Sequence, residues 1–236
     1  MAVIKLEKMG EFFDARLEGY EEHQLSCIEG AREFYPFTAS CLPMEDGARI
    51  LDLGCGTGLE LEEYFSLNPA AIVTGIDIAP GMLGALAKKF PDKALELKLG
   101  SYFIVPFGEE AFDAAVSVES LHHFTKEEKI PLYSKLHRAL KPGGYFILTD
   151  YFAGSDEEEY HFRQELIRLK KEQGLCEHEF YHYDTPLTAR HETEALLEAG
   201  FALAEVIGKW GATCSIKAYK ASPSAANTAE NSSKRT

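Results

Sequence analysis

Basic residues are scarce in this chain: Lys and Arg number 24 against 38 Asp and Glu, for a formal net charge of −14. Such a surface repels nucleic-acid phosphates and anionic lipid unless a local basic patch offsets it. The densest basic stretch, Arg168 to Lys171, follows the acidic run Asp156 to Glu159 in the same segment, so nucleic acid is not an expected partner. Cysteine is also sparse and poorly placed. Cys27, Cys41, Cys55, Cys176 and Cys214 are scattered, odd in number and without a C-x-x-C pair, which excludes a disulfide framework and a cysteine zinc site. Long apolar runs are missing too. None approaches the roughly 18–20 residues of a membrane span, and no charged start leads into an apolar signal core. The expectation is a cytoplasmic protein in a reducing compartment, with no membrane partner.

What remains is a globular composition, 45% hydrophobic and 26% charged, able to bury one sizeable core. Residues 1–48 read as an amino-terminal helical cap, in which Phe12, Phe13, Leu17 and Tyr20 recur at helical steps on one apolar face and Pro36 and Pro43 punctuate the remainder. From Arg49 the texture changes to short apolar runs alternating with helix-length segments. The runs are 49–53, 72–77, 95–99, 112–119 and 145–150, separated by helical patterns near 59–67, 80–90 and 126–140. That alternation predicts an α/β fold with a doubly wound, mostly parallel sheet. Lys141-Pro142-Gly143-Gly144 predicts a stop and turn before the fifth strand.

Beyond Asp150, Ser155 with Glu158 predicts a capping box and Gly174 a helix end, so a helical insertion at about 155–174 is expected over the sheet edge. A helix over 188–199 and apolar runs at 201–207 and 213–219 complete a unit spanning 49–220. Residues 221–236, rich in Ser, Ala, Asn and Thr, are expected to be a disordered tail.

The strongest local signal is Asp52-Leu53-Gly54-Cys55-Gly56-Thr57-Gly58 directly after an apolar strand. Glycines there allow a tight strand-to-helix turn and let a ligand lie against bare backbone. A dinucleotide fingerprint would place its third glycine at position 59, which is Leu. This argues against a nicotinamide oxidoreductase. A phosphate-cradling P-loop is excluded because no Gly-Lys-Ser/Thr follows. Asp77 ends the second strand beside this loop, where its carboxylate can accept two hydrogen bonds from a ribose diol. Capping of the helix that begins at Pro80 is its simpler role. Loop and acid together indicate an adenosine-type cofactor without a pyrophosphate.

Residues 50–152 resemble a class I S-adenosylmethionine-dependent methyltransferase. Ile50 to Gly58 is similar to the first motif of that family and Gly75-Ile76-Asp77 to its second. Phe112 to Ser117 with Leu121-His122-His123-Phe124 is similar to its fourth-strand motif, and Leu140 to Gly144 to its turn into strand five. The likeness is closest to the small-molecule branch that includes quinone-biosynthesis enzymes. The resemblance implies seven strands, the last antiparallel, and S-adenosyl-L-methionine as cofactor. It assigns the loop residues Asp52, Gly54, Cys55, Gly56 and Gly58 to the cofactor, with the glycines along the methionine portion. Asp77 would hold the ribose, Ile78 and Met82 would touch the adenine, and Glu119 would face the methionine end. Many relatives carry Gly-Asp after strand three where this chain has Gly100-Ser101, so Ser101 or the Tyr102 backbone would have to meet the adenine amino group. Arg16 and Tyr20 are assigned to the cofactor's carboxylate end.

Methyl transfer needs an in-line nucleophile about 3–3.5 Å from the methyl carbon. A base helps where the acceptor is a neutral oxygen or nitrogen. His122 and His123, after the fourth strand, are the candidate catalytic residues; packing of the loop is their simpler role. His178 and His182 lie four apart, but the surrounding aromatics and Pro186 do not read as a helix and no third ligand is evident, so no metal is expected. The leading function is methyl transfer to a small-molecule acceptor. A non-catalytic S-adenosylmethionine-binding module and a protein or tRNA methyltransferase are the alternatives.

Overall fold

The computed structural model describes residues 4–176 and 179–222. A seven-stranded open sheet organises them: β1 (Arg49–Leu53), β2 (Ile72–Asp77), β3 (Ala94–Leu99), β4 (Phe112–Val118), β5 (Leu140–Tyr151), β6 (Leu203–Trp210) and β7 (Thr213–Tyr219). Their spatial order is β3-β2-β1-β4-β5-β7-β6. The first five pair in parallel, and β7 runs antiparallel to both β5 and β6. The reversal follows from connection length. Only Gly211 and Ala212 separate β6 from β7, with Gly211 at φ +57°, and two residues can close a hairpin but not a parallel crossover.

Helices cover both faces of the sheet: α4 (Leu59–Leu67), α5 (Pro80–Lys89), α6 (Lys126–Ala139) and α8 (Ala189–Glu198), with an amino-terminal group α1 (Met9–Asp14), α2 (Tyr20–Cys27) and α3 (Ala31–Ser40). In β1 successive side chains point to opposite faces, so Ile50 joins a core with Phe34, Leu61 and Val73, while Leu51 joins one with Ile76, Leu136 and Leu196. Both faces being covered explains why β1 reads as a continuous apolar run rather than an alternating one. The strand order reverses between β1 and β4. The crevice at their carboxyl ends is where open α/β sheets bind ligands.

Four expectations are adjusted. The amino-terminal apolar face is not one helix, because Gly19 at φ +77° separates α1 from α2 and puts Tyr20 at the start of the second. Pro36 sits inside α3 rather than punctuating it. Lys141–Gly144 do not precede β5 but form an irregularity within it, where the register with β4 shifts between Phe112 and Ala114. Finally, the inserted helix α7 (Asp156–Glu172) packs its buried Leu169 on Leu6 and Tyr181 rather than on strand residues. Its Ser155 cap is half of the expected box: Ser155 Oγ accepts from Glu158 N at 3.1 Å, while Glu158 reaches back to Gly154 N at 2.7 Å. Residues 223–236 of the expected tail lie outside the described residues. Among the described residues, no helix is long and apolar enough to cross a membrane.

Candidate functional site

After β1 the chain turns into α4 through Gly54 (φ +74°), Gly56 (φ +48°) and Gly58 (φ +75°). The Gly54 and Cys55 amides donate to Ile76 O at 2.8 and 3.2 Å, tying the loop to the end of β2. A Cβ on Gly54 would stand 2.1 Å from Ser120 Oγ, whereas one on Gly56 would only touch Tyr20, with Oη at 3.8 Å. Gly54 and Gly56 therefore leave a cradle that side chains would fill. Gly58 has another job, since a Cβ there would press on Phe90, Leu86 and Leu61.

Asp77 takes the simpler of its expected roles, the cap of α5, and also ties down the loop. Its Oδ1 accepts from Ala79 N at 2.8 Å at the head of α5, and its Oδ2 accepts from Gly56 N at 2.9 Å. Burial pushes its pKa up against the pull of those amides. Each oxygen keeps acceptor capacity toward the cavity that Asp77 lines with Tyr20, Gly54, Gly56, Ile78, Met82, Ser101, Tyr102 and Glu119. Lys135 Nζ holds the segment that carries Tyr102 by donating to the carbonyls of Tyr102, Phe103 and Val105.

The other assigned residues lie elsewhere. Cys55 is buried with its Sγ toward Gly75, and Arg16 pairs with Glu7 at 2.8 Å over the Phe12 ring, outside this cavity. Asp52 is buried behind the loop. Neither its oxygens nor Glu60 Oε1 meets a hydrogen-bond donor among the described residues. Burial, and for Asp52 its neighbour Glu60, raise both carboxyl pKa values. Phe13, Phe124 and Phe180 complete the lining together with Met9 and Ser120, which carry no mark in the sequence.

A second cavity adjoins the first and shares Phe13, Tyr20, Glu119 and His123 with it. Glu119, at the end of β4, holds a positive φ of 48° and accepts from Thr213 Oγ1 at 3.1 Å. A glutamate in that backbone region is strained, as functional residues often are. Burial, helped by repulsion from Asp150, brings its pKa to about 7.

His122 and His123 follow in a 3-10 turn, Leu121–His123, and both line the second cavity. His122 Nδ1 lies 2.5 Å from Asp150 Oδ1. Burial opposes its charge, but Asp150 and Asp184 outweigh burial and hold its pKa well above the usual histidine value. Burial and the neighbouring His122 push His123 down instead. The two adjacent histidines thus carry opposite protonation tendencies.

The roof comes from two distant segments. Met9 N donates to Phe180 O at 3.0 Å and His182 N to Glu7 O at 2.9 Å, while Thr185 N donates to His122 O at 2.8 Å. His182 stacks on Phe12 with centroids 3.4 Å apart, and burial brings its pKa to about 4. His178, its sequence partner, lies outside the described residues.

The chain's residues fit S-adenosylmethionine. Two glycines keep a cradle clear, Asp77 retains acceptor capacity for a diol, Ile78 and Met82 offer apolar surface, and the carboxylates Asp77 and Glu119 face a ligand that carries a sulfonium and an ammonium. Fold and loop together define a class I S-adenosylmethionine-dependent methyltransferase domain. Residues 51–148 match the family model described as a methyltransferase domain. The chain is 32% identical over 177 residues to a sterol 24-C-methyltransferase of Gibberella zeae, covering 71% of this chain and 43% of that protein. It is 33% identical over 115 residues to a tRNA (carboxymethyluridine(34)-5-O)-methyltransferase of Arabidopsis thaliana, covering 48% and 26%. The chain spans less than half the length of these curated relatives. In fold it is similar to human N-acetylserotonin methyltransferase in complex with S-adenosylmethionine, with a TM-score of 0.59 at 19% identity, covering 90% of this chain and 55% of that one.

Gly54→Ala tests the cradle. Left-handed backbone costs an alanine about 1 kcal/mol or more, and the methyl group collides with Ser120. The expected result is S-adenosylmethionine affinity at least ~10-fold weaker in a variant that still folds, an amount matching about 1.4 kcal/mol. Calorimetric titration beside a thermal melt checks it. Unchanged affinity would remove the loop from the cofactor site.

Proposed function

We propose that this chain transfers a methyl group from S-adenosylmethionine to a small molecule seated in the second cavity. The observation that carries the reading is the shared wall: Phe13, Tyr20, Glu119 and His123 face both cavities, so a group held in the first meets a ligand held in the second. When bound, S-adenosylmethionine supplies an electrophilic methyl group on a sulfonium that brings its own leaving group. The protein's work is then largely positioning and exclusion of water. Asp77 holds the ribose against the loop, and Gly54 and Gly56 admit the ligand to the backbone. Phe13, Phe124 and Phe180 keep water from the reacting centre, while Phe13 and Tyr20 turn aromatic surface toward its positive charge. His122 and His123 act on the acceptor's side.

A small acceptor is favoured over RNA by the roof and by the charge. The second cavity lies under α1 and the 179–185 segment, and a net charge of −14 opposes a polyanion. The test is transfer of isotopically labelled methyl from S-adenosylmethionine, with the chain presented separately with a metabolite extract, bulk tRNA and protein. Label in a low-molecular-weight product supports the proposal. Label confined to tRNA or protein overturns the small-acceptor reading, and consumption at background with all three favours a binding module.

A further inference from the structure

We propose that His122, His123 and Asp184 form a site for one divalent transition-metal ion at the floor of the second cavity, with a coordination position left open to the acceptor. The inference rests on the reading of that cavity as the acceptor site and names what the two histidines do there.

Asp184 Oδ1 lies 3.2 Å from His123 Nδ1 and 3.5 Å from His122 Nε2, and the three donor atoms all lie within 4.8 Å of one another. An ion held tetrahedrally at about 2.0–2.1 Å from nitrogen and oxygen ligands sets neighbouring ligands roughly 3.3 Å apart. The two separations from Asp184 Oδ1 bracket that edge, and the two ring nitrogens lie within 4.8 Å of each other. Two imidazoles converge on one oxygen of a half-buried carboxylate that lines the cavity with them.

The surroundings support ligation. A metal-bound histidine characteristically donates its second ring nitrogen to a carboxylate, which fixes the ring. His122 Nδ1 does so to Asp150 at 2.5 Å, and Asp150 is itself held by the amides of Leu121 at 2.8 Å and Tyr151 at 2.9 Å. Thr185 N, donating to His122 O at 2.8 Å, fixes the roof segment against the 3-10 turn, so Asp184 arrives in register with both rings. Two ligands thus come from the sheet edge and one from the roof. An ion would tie the two together, leaving its remaining position on the side of Glu119, Tyr151 and His182. A donor set of two imidazoles and one carboxylate selects Zn²⁺, Co²⁺ or Fe²⁺ over Mg²⁺ or Ca²⁺.

Cobalt is the probe. The full chain, stripped with chelator and dialysed, is titrated with Co²⁺ while the visible spectrum is recorded, and with Zn²⁺ by calorimetry. The expected result is one equivalent bound, with intense d–d bands of low coordination number. Asp184→Ala and His123→Ala should each abolish the bands and weaken Zn²⁺ at least ~100-fold, and Asp150→Asn should weaken it roughly 10- to 100-fold. His161→Ala, in α7 and away from the cavity, should change nothing. Asp184 is half-buried on a roof segment, so its variant keeps the core, which a thermal melt verifies. Absence of a one-equivalent site in the wild type overturns the inference, as does binding that survives in Asp184→Ala. S-adenosylmethionine is titrated into the same stripped sample. Its binding without metal binding sinks this inference alone, whereas failure to bind S-adenosylmethionine sinks the cofactor reading instead.

Discussion

Asp77→Ala is expected to weaken S-adenosylmethionine and S-adenosylhomocysteine binding by roughly 100- to 1,000-fold, about 3–4 kcal/mol. Two effects add. The ribose diol loses a charged acceptor, and hydrogen bonds to charged groups contribute about 1.5–3 kcal/mol each. The Gly56 amide also loses its 2.9 Å partner, so the loop is no longer held against the end of β2 by that side chain. Asp77→Asn separates these effects, because its amide oxygen still accepts one bond; a loss nearer ~10-fold is expected there. Titration calorimetry of the three proteins with both ligands makes the measurement. Affinity within a few-fold of wild type in Asp77→Ala would leave Asp77 as no more than the cap of α5.

The second large effect concerns stability. Lys129 in α6 and Glu192 in α8 are both about 1% exposed at their side chains and meet at 2.5 Å, and the Tyr133 hydroxyl donates to the other oxygen of Glu192. This triad joins the two helices that cover one face of the sheet beside β5. Removing one member of a buried pair strands the other charge, at a cost of about 3–5 kcal/mol. Glu192→Leu also orphans the Tyr133 hydroxyl, so a fall in melting temperature of roughly 6–20 °C is expected. The double variant Lys129→Met, Glu192→Gln removes both charges and keeps an acceptor for Tyr133. It should recover most of that loss, because a buried ion pair is seldom better than an uncharged replacement of similar volume. Differential scanning calorimetry of the two variants decides. A single variant as stable as wild type would mean that water reaches the pair.

Much of the architecture was legible because it is local. The residues of β1 and β2, the bounds of α4 and the glycine loop between strand and helix all follow from short-range patterns, and Arg49–Leu53 and Ile72–Asp77 match the expected runs residue for residue. Helix ends differ by a residue, as at Lys89 and Ala139, which is ordinary fraying. The misreadings have local causes as well. Periodicity carried across Gly19 joined two helices that a left-handed glycine separates, and the Pro-Gly-Gly of residues 142–144 looks like a stop although β5 absorbs it as an irregularity.

The candidate site divides in the same way. Gly54, Gly56 and Asp77 were readable because adjacent strands in a parallel sheet put their carboxyl ends side by side. Arg16 was not, since a lone basic residue in the turn after α1 carries no mark of its partner. Its position is set by Glu7 and Phe12, in the lining of the second cavity. His122 and His123 were visible as a pair, but their surroundings were not. Asp150 lies 28 residues from His122, and Asp184 sits 61 residues beyond His123.

By itself, then, the sequence determined the class of fold, the glycine loop after β1 and the acid at the end of β2 beside it. Each is encoded in a stretch of a few residues whose conformation depends mainly on glycine, strand periodicity and helix caps. Only the tertiary structure decided what faces the second cavity. It brought residues 7–20 over residues 179–185 and set Asp150 and Asp184 on either side of His122. Those pairings join the two roof segments, more than a hundred residues apart, and tie the turn after β4 to the end of β5 and to the roof. Their positions follow from packing against the whole core, which no short stretch of sequence specifies.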